Sequence, residues 1–394
     1  MTMSMKTGDR VVDILCELIS RETTNPMGRE VRDDRPVERP VIEYLEDLFG
    51  RYDVQLSRQT VGGIHENLVI EVEGGQEGPG LLLESHMDTV PADDWRDRAF
   101  APRIEDGEVL GRGACDDKGP LAAMVTALME VLESGERLPQ PCTLVAAADE
   151  EYAQTGILHF VEQMERDYCF GVFGEPTRNV PIIQHKGAAR WDITALGQSA
   201  HSSQAELGRN AIYEMGRVLD AIRAYEESLQ ERHTNPLLTG PRITVTMIEG
   251  GTARNIVPER CTVAVDFRIM PGLDPEVERQ KLIVHLGELG VKLNHDQVQI
   301  LAPPLSTQAD DPCVAVVSEL CAQVLNGSVA PEGAPYGTDA ARFNGIPAVV
   351  LGPGDIDYAH AIDERIAIDD LQKGKEIYRQ CLLTKWAGLS ARNP

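Results

Sequence analysis

The sequence is short of positive charge: 37 Lys and Arg stand against 63 Asp and Glu, a formal net charge of −26. That balance excludes nucleic acid and an anionic membrane surface as the main partner, because both would repel the chain. A handful of metal ligands could not account for the excess, so most of it is solvated surface. No apolar run reaches membrane-spanning length. The eight cysteines include no Cys-x-x-Cys pair. This excludes a disulfide framework and the usual structural zinc motifs, and predicts reduced thiols in a cytoplasmic protein. The N-terminal MTMSMKTGDR lacks the apolar stretch of a secretory signal. Internal repeats and low-complexity tracts are also missing.

What is present is a chain of 394 residues, 42% hydrophobic and 25% charged, longer than one core normally supports, so two domains are expected. The organising stretch is LLLESHMDTVP, from Leu81 to Pro91. An apolar run there ends in His86-Met87-Asp88, as a buried strand does when it delivers polar groups at its carboxyl end. Residues i and i+2 of a strand share a face, so His86 and Asp88 leave together. An imidazole can then bind a metal through one nitrogen while the carboxylate accepts the other ring N–H. Alone, the pair reads more readily as a core histidine beside a surface aspartate.

Two further strands repeat this grammar. Thr143–Ala148 runs into Asp149-Glu150-Glu151, and Tyr168–Phe173 into Gly174-Glu175-Pro176-Thr177. In one doubly wound sheet those ends gather in a single crevice. Ahead of both, GRGACDDKGP precedes a predicted helix over Leu121–Leu132. Gly-rich loops opening helices bind phosphate, but Asp116 and Asp117 would repel an anion and attract a cation. A solvated helix cap is the plainer alternative.

Periodicity also predicts helices over 8–22 and 41–49 and strands over 67–72 and 81–86. From Lys186 the texture changes. Strand 188–196, helix 210–230, strands 242–248 and 262–268 and helix 275–289 follow a βαββαβ order, that of a small separate α+β domain. The expected division is a catalytic domain over 1–184 and 301–394, interrupted by an inserted domain over 185–300. The late segment LGPGDIDYAHAIDE adds His360.

Collected, the candidate ligands are His86, Asp116, Glu151, Glu175 and His360. Two imidazoles with three carboxylates suit two divalent ions, zinc first, then cobalt or manganese, with one carboxylate shared. Such a pair lowers the pKa of a bridging water and polarises a carbonyl. Glu150, adjacent to a ligand, is placed to act as the base. The chemistry is hydrolysis of an amide or related acyl bond.

These motifs, in order and spacing over essentially the whole length, resemble the dinuclear zinc amidohydrolases that include acetylornithine deacetylase, succinyl-diaminopimelate desuccinylase, aminoacylase and carboxypeptidase G. The resemblance implies a doubly wound α/β catalytic domain with an inserted ferredoxin-like lid and dimerisation domain, hence a homodimer. It implies that His86 and Glu175 serve one zinc, His360 and Glu151 the other, and that Asp116 bridges them. Asp88 would orient His86, and the Asp116-Asp117 peptide would be cis. His201, in GQSAHSS, matches a histidine that stabilises the oxyanion, often across the dimer. Asn255 and Arg268 match lid positions that hold a substrate carboxylate, and Gly337-Thr338-Asp339 matches a substrate-contacting loop. Histidines 65, 159, 185, 233, 285 and 295 are left as structural or surface residues.

GEPTRNVPIIQHKG, GQSAHSS and LGPGDIDYAHAIDE resemble acetylornithine deacetylase and its relatives, which points to N-acyl amino acids as substrates. Cys115 and Asp117, however, stand where deacetylases more often carry Ala and Met, and the double aspartate is closer to carboxypeptidases and dipeptidases. The alternatives are therefore an exopeptidase acting on dipeptides or acylglutamates, and a catalytically silent binding protein.

Overall fold

The computed structural model describes residues 6–29, 31, 35–343 and 345–389. The chain divides into two compact units: one of residues 1–183, 307–332 and 338–394, the other of 184–306 and 333–337.

The first unit is built on a mixed sheet. Its strands run in the order Gln55–Val61, His65–Val72, Cys142–Ala147, Gly80–His86, Tyr168–Phe173 and Ala348–Val350. The first three pair antiparallel and the last four pair parallel. All seven residues of Gly80–His86 are buried, as expected of a central strand in a parallel core. Leu81, Leu82 and Leu83 are fully enclosed, each contributing roughly 2 kcal/mol of apolar burial. The edge strand Gln55–Val61 was not expected from sequence, because its polar residues face solvent and leave no apolar alternation. Helix Thr155–Glu162 also lies outside the predicted elements.

Helix Lys118–Ser134 packs on the Gly80–His86 strand and on helices Arg10–Ile19 and Ile368–Leu383. It is longer than the predicted 121–132 and almost entirely buried. A three-stranded antiparallel sheet joins Arg103–Glu105, Glu108–Leu110 and Arg365–Ala367. Its hairpin turns at Asp106-Gly107, both at positive φ, as a two-residue Asp-Gly turn requires.

The second unit is an antiparallel sheet in the order Arg242–Gly250, Arg260–Ile269, Gly187–Leu196 and Leu293–His295. Ile300–Ala302 also pairs on Gly187–Leu196, so the unit continues past residue 300. Helices Ala211–Arg232 and Pro275–Gly287 pack on this sheet, enclosing Trp191, Ile193, Met215, Val218, Phe267 and Leu282. Asn210 caps the first helix through Ile212 N at 2.9 Å, and Asp274 caps the second through Val277 N at 2.9 Å. The connectivity and strand order are ferredoxin-like.

Candidate metal centre

Three adjacent parallel strands deliver the site. His86 closes its own strand opposite Ala147; Glu150 and Glu151 follow Cys142–Ala147, and Glu175 follows Tyr168–Phe173. Asp116 comes from the Gly-rich turn before helix Lys118–Ser134, and its peptide bond to Asp117 is cis. Neither aspartate is a solvated helix cap, since both are buried and Asp117 makes no capping hydrogen bond.

Two triads result. His86, Asp116 and Glu175 form one, Asp116, Glu151 and His360 the other, with the ligand atoms of each within 4.8 Å of one another. Asp116 is common to both. His86 Nε2 lies 3.0 Å from its Oδ1, while His360 Nε2 lies 3.1 Å from its Oδ2 and 3.1 Å from Glu151 Oε2. Glu150 belongs to neither triad. Its Oε1 accepts from Gln154 Nε2 at 3.2 Å.

Asp88 meets His86 through two groups. The nearer partner of His86 Nδ1 is the Asp88 backbone carbonyl, at 3.0 Å; the carboxylate Oδ1 is 3.6 Å away. That carboxylate also accepts the backbone N–H of Glu150 at 3.1 Å and of Glu151 at 3.2 Å. It therefore fixes the peptide that carries both glutamates.

The electrostatics are those of crowded, buried carboxylates. Burial, then the neighbouring Asp339, pushes Glu150 well above the usual carboxylate range. Burial and Asp116 do the same for Glu175 and push Glu151 up to about 7. Burial would also raise Asp116, but hydrogen bonds from His360 and His86 hold it below its ordinary value. His360 is raised to about 10 by Asp116 and Glu151. Buried oxygens of Asp117, Asp339 and Glu84 have no hydrogen-bond partner. Excess negative charge in an enclosed space is the condition that divalent cations relieve, so the donor set fits two such ions.

Most of the remaining predicted residues belong to the second unit. His201 and Asn255 lie on neighbouring segments of the second unit, linked by the His201–Ile256 bridge and by Ser202 N donating to Asn255 O at 3.0 Å. His201 is exposed, its Nδ1 2.7 Å from Ser203 Oγ. Arg268 donates to Asp266 Oδ2 at 3.2 Å. Gly337 belongs to the second unit and Thr338 to the first, where Thr338 Oγ1 accepts from Ala340 N at 3.3 Å.

Two residues that sequence reasoning passed over stand close behind the site. Asn25, in what reads as a loop, donates to Asp88 and to Asp149. Its only signal in the sequence is the Asn-Pro turn. Glu364, four residues after His360, is fully buried against the Asp116 turn, and one acidic residue among several in a polar segment gives no hint of that.

Residues 82–384 match Peptidase family M20/M25/M40. The acetylornithine deacetylase of Myxococcus xanthus is 32% identical over 375 residues, 91% of this chain and 92% of that protein. A probable succinyl-diaminopimelate desuccinylase of Staphylococcus epidermidis is 28% identical over 406 residues, covering 93% and 96%. In fold the chain is similar to an M20 family metallo-carboxypeptidase of Sulfolobus solfataricus, with a TM-score of 0.75 and 22% identity over 95% of this chain and 98% of that one. The match across most of the chain means that it belongs to Peptidase family M20/M25/M40 and is a metal-dependent amidohydrolase.

Proposed function

We propose that this enzyme removes the acyl group from N-acyl amino acids, as the names of its deacetylase and desuccinylase relatives suggest. The observation that carries the reading is the pair of ligand triads sharing Asp116, with Glu150 beside them but in neither. His86, Asp116 and Glu175 would hold one ion, and Asp116, Glu151 and His360 the other. Two histidines with carboxylates favour zinc, with cobalt and manganese as substitutes. When bound, the ions would supply Lewis acidity toward the acyl carbonyl and acidify water.

The chain supplies the rest. Glu150, held by Gln154, takes a proton from the attacking water and returns it to the departing amine nitrogen. In the second unit, His201 serves as a donor to the developing oxyanion, and Asn255 and Arg268 hold the substrate carboxylate. Gly337 and Thr338 contact the substrate. That unit is proposed as a lid and as the interface of a homodimer. Met247, Ile248 and Tyr213 are exposed there, the first two on edge strand Arg242–Gly250, as a surface covered by a second copy would be. Eight free thiols support a cytoplasmic location.

The test is hydrolysis of N-acetylornithine, other N-acetyl amino acids, N-succinyl-diaminopimelate, dipeptides and an acylglutamate, with zinc or cobalt added. Cleavage of N-acyl amino acids that is lost in Glu150→Ala supports the assignment. Cleavage confined to dipeptides or acylglutamate refutes it and moves the enzyme to the exopeptidases.

A further inference from the structure

The turn Gly111–Asp116 has the look of an anion cradle: Gly111 and Gly113 lie at positive φ, and the backbone N–H groups of residues 113, 115 and 116 converge. The structure shows what fills it. Glu364 Oε2 accepts from Gly113 N at 3.0 Å and from Arg112 Nη1 at 2.6 Å. Its Oε1 accepts from Cys115 N and from Asp116 N, each at 2.9 Å. The backbone carbonyl of Glu364 also accepts from Gly111 N at 2.9 Å. The cradle thus holds a carboxylate of the protein's own chain.

Four hydrogen bonds use the acceptor capacity of a carboxylate, so Glu364 has none left for a metal or a proton-transfer role. Its position gives it another one. It lies four residues after His360 and bonds the N–H of Asp116, while the side chains of those two residues meet at 3.1 Å. The small sheet brings the same two segments together, with Arg365 opposite Leu110. One buried carboxylate therefore sets the separation of the loops that carry Asp116 and His360.

We infer that Glu364 is a positioning residue for the metal centre, fixing Asp116 against His360 so that both triads are pre-formed. This rests on the reading that the triads hold two divalent ions. Partners that orient metal ligands from behind typically change affinity or activity ~10–100-fold when removed.

The test uses Glu364→Gln and, because Arg112 would otherwise lose its buried counter-charge, the balanced double variant Arg112→Met/Glu364→Gln. Folding is checked by circular dichroism and zinc affinity by competition with a chromophoric chelator. At saturating zinc, kcat and KM are measured on the best acyl substrate. The inference expects a folded protein whose weaker zinc site loses about 10–100-fold in affinity, with kcat falling and KM nearly unchanged. Folded variants that bind two zinc ions as the wild type does and keep its kcat would overturn it. So would failure of both variants to fold, which would assign Glu364 to stability alone. A wild-type protein that does not bind two zinc ions would instead overturn the reading of the triads, and this inference with it.

Discussion

The side-chain amide of Asn25 lies 2.8 Å from Oδ2 of Asp88, and through that contact a residue near the start of the chain supports the catalytic peptide. The same nitrogen is 2.9 Å from Asp149 Oδ1, so one amide separates two buried carboxylates. Asp88 in turn accepts the N–H groups of Glu150 and Glu151. Replacing Asn25 by Asp puts a third carboxylate among these groups and removes their donor. Asn25→Asp is expected to lose about 10–100-fold in activity and to melt at a lower temperature, whereas Asn25→Gln keeps a donor. A melting curve and a kcat for Asn25→Asp that match the wild type would remove Asn25 from this role.

Glu150→Gln keeps the shape of the side chain and removes its basicity. Because Glu150 lies outside both triads, the variant should still bind two ions. General-base assistance is typically worth ~10²–10⁴-fold in rate, so kcat should fall by about that factor. Metal analysis and steady-state kinetics on the same sample check this. Loss of metal in parallel with activity would show that Glu150 is a ligand and not the base.

Removing the ions should cost stability as well as activity. The triads crowd glutamates that burial and mutual repulsion push upward, and bound cations offset that repulsion. Ligand at about 100 times its Kd stabilises the native state by about 2.7 kcal/mol. A chelator should therefore lower the melting temperature, and re-added zinc should restore both stability and turnover. In His360→Ala one triad loses its imidazole, and zinc stoichiometry should fall from two to one. Unchanged melting after chelation would show that the triads are not occupied in solution.

The sheet centre and most of the triad residues were legible because each strand end carries an apolar run followed directly by its polar group, as in Leu81–His86 or Cys142–Glu151. Local pattern is enough there. It fails where a role depends on partners far along the chain. Glu364 bonds the N–H groups of residues 113, 115 and 116, and nothing within several residues of it carries that information. Pattern likewise does not show that the Asp88 backbone carbonyl lies nearer His86 Nδ1 than the carboxylate does. The side chain also accepts the N–H groups of Glu150 and Glu151.

His185 offers a test of stability that is separate from the catalytic cluster. It is fully buried, with Nδ1 3.1 Å from the Lys186 carbonyl. Burial pulls its pKa down to about 4 from an ordinary 6.5, with the carbonyl opposing. The unfolded chain therefore binds a proton between pH 6.5 and 4 that the folded chain refuses, and linkage requires stability to be lost as the pH is lowered across that window. The contribution is complete above about pH 6.5 and gone below about pH 4, for a total of about 3 kcal/mol. Urea unfolding of wild type and His185→Gln from pH 4 to 7, with a chelator present so that metal release plays no part, should show a stability difference that shrinks by roughly this amount on acidification. A difference independent of pH would mean that His185 is not held neutral by burial.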